Sequence, residues 1–116
     1  MELYKSPKLI VKKSNVHGFG VFTNDNIIAG ELLEECHFYK LKECNFDKID
    51  LGIEPIIQQY PARISGNSYI IVLGYGSIFN HSDTPNTIRK GEDLLFKFFA
   101  KTNIKSGSEL FINYFN

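Results

Sequence analysis

The chain has no tryptophan, only two cysteines and no excess charge of either sign, and no apolar run in it could span a bilayer. Each absence removes a class of protein. Cys36 and Cys44 stand outside any C-x-x-C pair, so a structural zinc site is not expected and both are read as reduced thiols. Lys plus Arg and Asp plus Glu number 13 each, giving a formal net charge of zero. No global field then favours direct nucleic-acid binding, and recognition of a basic protein tail would rest on a local acidic groove. Leu9-Ile10-Val11 is too short for the apolar part of a secretory signal and runs into Lys12-Lys13. Nothing approaches the ~20 apolar residues of a membrane span. The expectation is a soluble, intracellular protein without membrane contact. No internal repeat or low-complexity stretch is visible.

What is present suits one small β-rich domain. Apolar residues make up 43% of the 116, enough for a packed core. Ten Phe and six Tyr can fill that core without long helices. Residues 9–13 and 20–23 are β-prone, with turn residues at 14–18 between them. Residues 32–41 read as one longer strand. Residues 68–73, with Ile70-Ile71-Val72, read as a strand buried on both faces. Residues 94–100 and 110–115 read as two more strands, the last carrying Tyr114. Residues 45–66 are the least strand-like: Asn45 and Glu54-Pro55 are plausible helix starts and Pro61 a stop, so an insert with one or two short helices is expected. Residues 74–86 read as a long structured loop. The whole, 1–116, is read as a single mainly β domain with its core at 9–114.

Three motifs carry the chemistry. In Gly18-Phe19-Gly20, two glycines around an aromatic let backbone approach a ligand closely and take positive φ. This is not the dinucleotide fingerprint, since no third glycine follows. In Asn80-His81-Ser82-Asp83-Thr84-Pro85-Asn86, the Asn and His offer donors and acceptors that could read an adenine edge and hold an amino-acid head group. Ser82, Asp83 and Pro85 would stiffen the loop through local turns. In Glu109-Leu110-Phe111-Ile112-Asn113-Tyr114, the Tyr either packs its ring as any core Tyr does or points its hydroxyl at a reacting centre. His17, His37 and His81 have no helix-face pairing or ligand-spaced carboxylate, so no metal is expected. Cys36 and His37 are adjacent on a strand, point to opposite faces and do not form a nucleophile pair.

In this order, Gly-x-Gly, N-H-S-x-x-P-N and E-L-x-x-x-Y, the sequence resembles the SET-domain protein lysine methyltransferases over residues 9–114. The resemblance implies a fold of several short-stranded sheets with a knot-like C-terminal threading. It implies S-adenosyl-L-methionine as cofactor, with His17, Gly18, Phe19, Gly20, Asn80 and His81 around it and Tyr114 beside the transferring methyl group. Cofactor and substrate would meet from opposite faces through a lysine channel, for which Tyr39, Tyr69, Tyr75 and Phe115 are candidates. The implied substrate is a protein lysine, histone tails being the family's common target. The chain departs from the family in lacking its zinc-binding cysteine clusters and in carrying Phe115 where a Gly commonly follows the motif Tyr. With only Asn116 beyond, the expectation divides three ways: a homodimer whose partner subunit closes the channel, closure by Phe115 and other aromatics, or low activity. Two other readings stand beside catalysis: a SET-like module that binds cofactor or peptide without turnover, and a cofactor-free interaction domain.

Overall fold

The computed structural model describes residues 2–41, 62–65, 68–92 and 95–114. Within them lie nine strands: β1 (Leu9–Lys13), β2 (Phe19–Thr23), β3 (Leu32–Leu41), β4 (Ala62–Ser65), β5 (Ser68–Val72), β6 (Asn80–His81), β7 (Thr87–Glu92), β8 (Leu95–Ala100) and β9 (Glu109–Ile112). A 3-10 turn spans Gly74–Ser77. The protein is mainly β, built from small sheets. Among the described residues no helix is long and apolar enough to cross a membrane.

The first sheet has the order β1-β2-β9-β6. β1 and β2 form an antiparallel hairpin from Leu9↔Thr23 to Lys13↔Phe19. Its turn is closed by the Ser14 N–H donating to the Gly18 carbonyl at 2.7 Å. Gly18 takes φ +49°, which any L side chain would resist. β9 lies antiparallel to β2, with Val21 opposite Leu110. On its other side β9 lies parallel to β6, with Asn80 opposite Phe111 and His81 opposite Ile112. The last strand is thus inserted between the first and second motifs, and three segments far apart in sequence become neighbours.

The second sheet has the order β4-β5-β3-β8-β7, with every pair antiparallel. β3 is long because it serves two partners. Its first part, from Leu32 to His37, pairs with β8, and Phe38 to Leu41 pair with β5. The core is apolar and aromatic. Phe79 and Phe98 are buried and stacked, their centroids 4.8 Å apart, with Val21, Leu33 and Leu110 fully enclosed around them. Gly76 lets the 3-10 turn lie against this stack: a Cβ there would stand 3.0 Å from both Phe98 Cε2 and Cys36 Sγ. Cys36 is a buried free thiol, pushed up in pKa by burial and then by Glu34, and so inert. Cys44 lies outside the described residues.

The structure corrects the sequence reading in four places. The expected helical insert at 45–66 ends in a strand, β4, because Ala62 and Arg63 pair with Ile70 and Tyr69 of β5; residues 42–61 lie outside the described residues. The loop at 74–86 contains a 3-10 turn and β6. β7 was not anticipated. Its alternation is inverted for a half-buried strand, with Thr87 buried and Ile88 exposed, so hydrophobic periodicity does not announce it. The last strand ends at Ile112 rather than Phe115, and Tyr114 sits in a turn. There its N–H leaves the ladder and donates to the ring of His81.

Candidate functional site

Glu109 opens β9 and ties the motifs together. Its Oε1 accepts from the Ser14 hydroxyl and its Oε2 from the Asn80 amide, both at 2.7 Å. Asn80 is buried, 5% exposed, and its Nδ2 also faces the carbonyls of His17 at 3.0 Å and Phe19 at 3.3 Å. All three neighbours are acceptors, which fixes the nitrogen end of the amide. Asn80 therefore clamps the Gly18 turn onto β6 and β9.

The second glycine of the first motif serves this clamp. A Cβ on Gly20 would meet the Glu109 carboxylate, with Cδ at 2.9 Å, and Asn80 Nδ2 at 3.0 Å. By contrast, a Cβ on Gly18 would meet nothing within 4 Å, and that glycine is required only by its φ. Gly20→Ala should therefore destabilise the domain by about 2 kcal/mol, the usual cost of overpacking. Urea unfolding followed by circular dichroism reads the shift; an unchanged midpoint would mean the carboxylate–amide pair relaxes freely.

Asn86 repeats the device one step along β9. Its Nδ2 donates to the Glu109 carbonyl at 2.9 Å and its Oδ1 accepts from the Phe111 N–H at 2.8 Å. The side-chain amide thus presents the donor and acceptor that a neighbouring strand residue would. Ser82 adds a ladder bond from its N–H to the Ile112 carbonyl at 2.9 Å, while its hydroxyl accepts from the Thr84 N–H at 3.1 Å and closes the turn. The N-H-S-x-x-P-N segment is a cradle for the E-L-F-I strand.

His81 extends to Tyr114. Its Nδ1 accepts the Tyr114 N–H at 3.0 Å, so the proton of the neutral ring sits on Nε2, which faces Asp83 Oδ1 at 3.0 Å. The His81 and Tyr114 rings are 5.1 Å apart and tilted by 51°. The Tyr114 hydroxyl donates to the Phe79 carbonyl at 2.7 Å. Backbone, ring and hydroxyl are therefore each held, yet the residue is 45% exposed and open to a ligand. Its hydroxyl proton is committed, and its oxygen keeps lone pairs for an incoming N–H. Burial pushes the phenol above its ordinary range; Arg89 opposes this and Glu109 adds to it. Tyr114 is thus a neutral phenol at physiological pH.

Of the residues read from sequence, His17, Gly18, Phe19, Gly20, Asn80, His81 and Tyr114 are brought together by the order β2-β9-β6. His17 takes part through its carbonyl. Phe19 is 64% exposed and Val16 is exposed beside it, an apolar surface next to the clamped turn. Tyr75 lies in the 3-10 turn, where its N–H donates to Glu34 and its ring lies under the Lys5 ammonium. Tyr39 and Tyr69 occupy neighbouring strands, opposite Ile71 and Leu41; their side chains, and Phe115, lie outside the described residues. Sequence reasoning missed Glu109, Ser14 and Asn86 as site builders. The one available signal was Glu109, a carboxylate next to an apolar strand that needed a donor from elsewhere. Among the described residues no three His, Cys, Asp or Glu side chains are grouped to hold a metal ion.

The SET domain family profile matches residues 18–115. The chain is also similar to the crystal structure of a candidate histone methyltransferase from Plasmodium falciparum, with 28% identity, 94% of each chain covered and a TM-score of 0.70. Since the profile runs from the Gly18 turn through all three motifs, the chain belongs to the SET-domain family of protein lysine methyltransferases.

Proposed function

We propose that this protein transfers a methyl group from S-adenosyl-L-methionine to the ε-amine of a lysine in a protein substrate, with Tyr114 orienting the amine. The observation that carries this reading is the division of labour on β6. Adjacent strand residues point to opposite faces. Here Asn80 turns to the Gly18 loop and Glu109, while His81 turns to Tyr114. One face thus supports a ligand-approach loop and the other a fixed hydroxyl.

The residues present fit the cofactor. The backbone at Gly18 is open on the side where a Cβ would stand, and exposed Phe19 and Val16 offer apolar cover for a flat base. His17, Gly18, Phe19, Asn80 and His81 would hold it, with Gly20 making room for the clamp. When bound, the cofactor supplies the electrophilic methyl group.

The remaining work belongs to the chain. Methyl transfer is an in-line displacement at carbon, so positioning dominates. The attacking lysine must be neutral, and with an ordinary pKa of ~10.4 fewer than about one in a thousand is neutral at pH 7. A desolvated approach favours the neutral amine. The Tyr114 oxygen, its own proton held by Phe79, accepts an amine N–H and turns the nitrogen lone pair toward the methyl carbon. A phenol raised by burial does not act as the base here; the ammonium proton leaves to solvent.

The similarity to a candidate histone methyltransferase makes a basic histone tail the first substrate to test. Calorimetry with S-adenosyl-L-methionine should give saturable binding. Labelled-methyl transfer onto histone and ribosomal protein mixtures should then mark lysine. Binding without labelling would leave a cofactor-holding interaction module, and absence of binding would overturn the reading altogether.

A further inference from the structure

A cleft of about 230 Å³ opens beside β3, on the sheet that does not contain β6 and β9. Glu34 lies at its floor, 3% exposed. Its Oε2 accepts the Tyr75 N–H at 3.1 Å, and Gly74 clears that oxygen: a Cβ there would stand 2.8 Å away. Its Oε1 is buried and has no N–H or O–H partner among the described residues, the Cys36 thiol being a weak donor beside the carboxyl. Such an oxygen costs free energy unless a donor reaches it. Burial raises the Glu34 carboxyl above its ordinary value, outweighing the Tyr75 N–H, the Cys36 thiol and the Lys5 charge, which act the other way. Leu3, Tyr4 and Leu73 line the cleft, and each is exposed by two-fifths or more.

We propose that this cleft is a second, non-catalytic site for a lysine side chain of a protein partner, its ammonium donating to Glu34 Oε1 and its methylenes lying along Leu3, Tyr4 and Leu73. A buried carboxylate at the end of apolar walls matches an alkyl stem with a cationic tip. With Oε2 already engaged, one oxygen is on offer, which suits a point-charge ammonium over the two-pronged guanidinium of arginine. Lys5 is the chain's own competitor. It lines the cleft, is exposed, and its Nζ stands 4.3 Å above the Tyr75 ring. The site uses none of the residues around Tyr114, and the proposal stands whether or not the protein transfers methyl groups.

The test is a titration of the 15N-labelled protein with Nα-acetyl-lysine methylamide, its uncharged norleucine analogue and the arginine analogue. The lysine derivative should shift the Gly74 and Tyr75 amide signals saturably, and the norleucine derivative should not. E34Q keeps an acceptor for Tyr75 but loses the charge, and should weaken binding by about tenfold or more, the worth of one charge-assisted contact. K5A should tighten it. Equal shifts from norleucine, unchanged affinity in E34Q, an arginine derivative that binds as well as lysine, or shifts confined to His81 and Tyr114 would each overturn the proposal. If E34Q does not fold, the norleucine comparison and K5A still decide.

Discussion

Asn80→Ala should cost the domain about 3 kcal/mol, a large part of the 5–15 kcal/mol that holds a domain of this kind together. The side chain is buried and its amide nitrogen faces one carboxylate and two backbone carbonyls. A hydrogen bond to a charged group is worth roughly 1.5–3 kcal/mol, and stranding buried acceptors adds to that. The Glu109 carboxylate would keep only Ser14, and the Gly18 turn would lose its link to β6. Urea unfolding should show a lower midpoint with unchanged slope. Asn80→Asp should be no better, since it sets a second carboxylate against Glu109. Lost cofactor affinity at full stability would mean that Asn80 serves the ligand alone and does not clamp the Gly18 turn.

Tyr114→Phe should leave the fold intact and lower methyl transfer by about a hundred- to a thousandfold, the usual effect of removing one preorganised polar group at a reacting centre. The Phe ring keeps its place against His81, and the backbone N–H still donates to Nδ1. Only the hydroxyl and its bond to the Phe79 carbonyl are lost. That bond is neutral and the residue is partly exposed, so the stability change should be about 1 kcal/mol or less. The loss should fall on the rate of transfer, with affinity for S-adenosyl-L-methionine unchanged. A matching fall in affinity would place the hydroxyl on the cofactor instead.

Most strands were legible because their side chains report their faces. β1, β3, β5 and β8 are apolar enough to read directly. β7 was not, because it buries Thr87 and exposes Ile88. β6 was hidden because two residues pair only once β9 arrives from 29 residues further along the chain. The site was legible as a set of motifs but not as a mechanism of assembly. Asn80, Asn86 and Glu109 look like ligand-readers or turn formers in a linear sequence. In the folded chain they bind one another, since each supplies the acceptor or donor another segment lacks. Long-range side-chain to backbone pairing leaves no periodic trace, so only the fold reveals it. Tyr114 shows the same limit: its strand-like neighbourhood hid the turn that lets its N–H meet His81.

The measurement closest to the central claim compares wild type and Tyr114→Phe for two quantities on the same preparations: affinity for S-adenosyl-L-methionine by calorimetry, and single-turnover transfer of its labelled methyl group to lysine in a histone substrate. The clamp built on Asn80 and the hydroxyl held by Phe79 predict equal affinities and transfer by the wild type alone above the limit of about one-hundredth. Transfer by Tyr114→Phe at the wild-type rate would contradict the assignment of Tyr114 as the residue that orients the reacting amine.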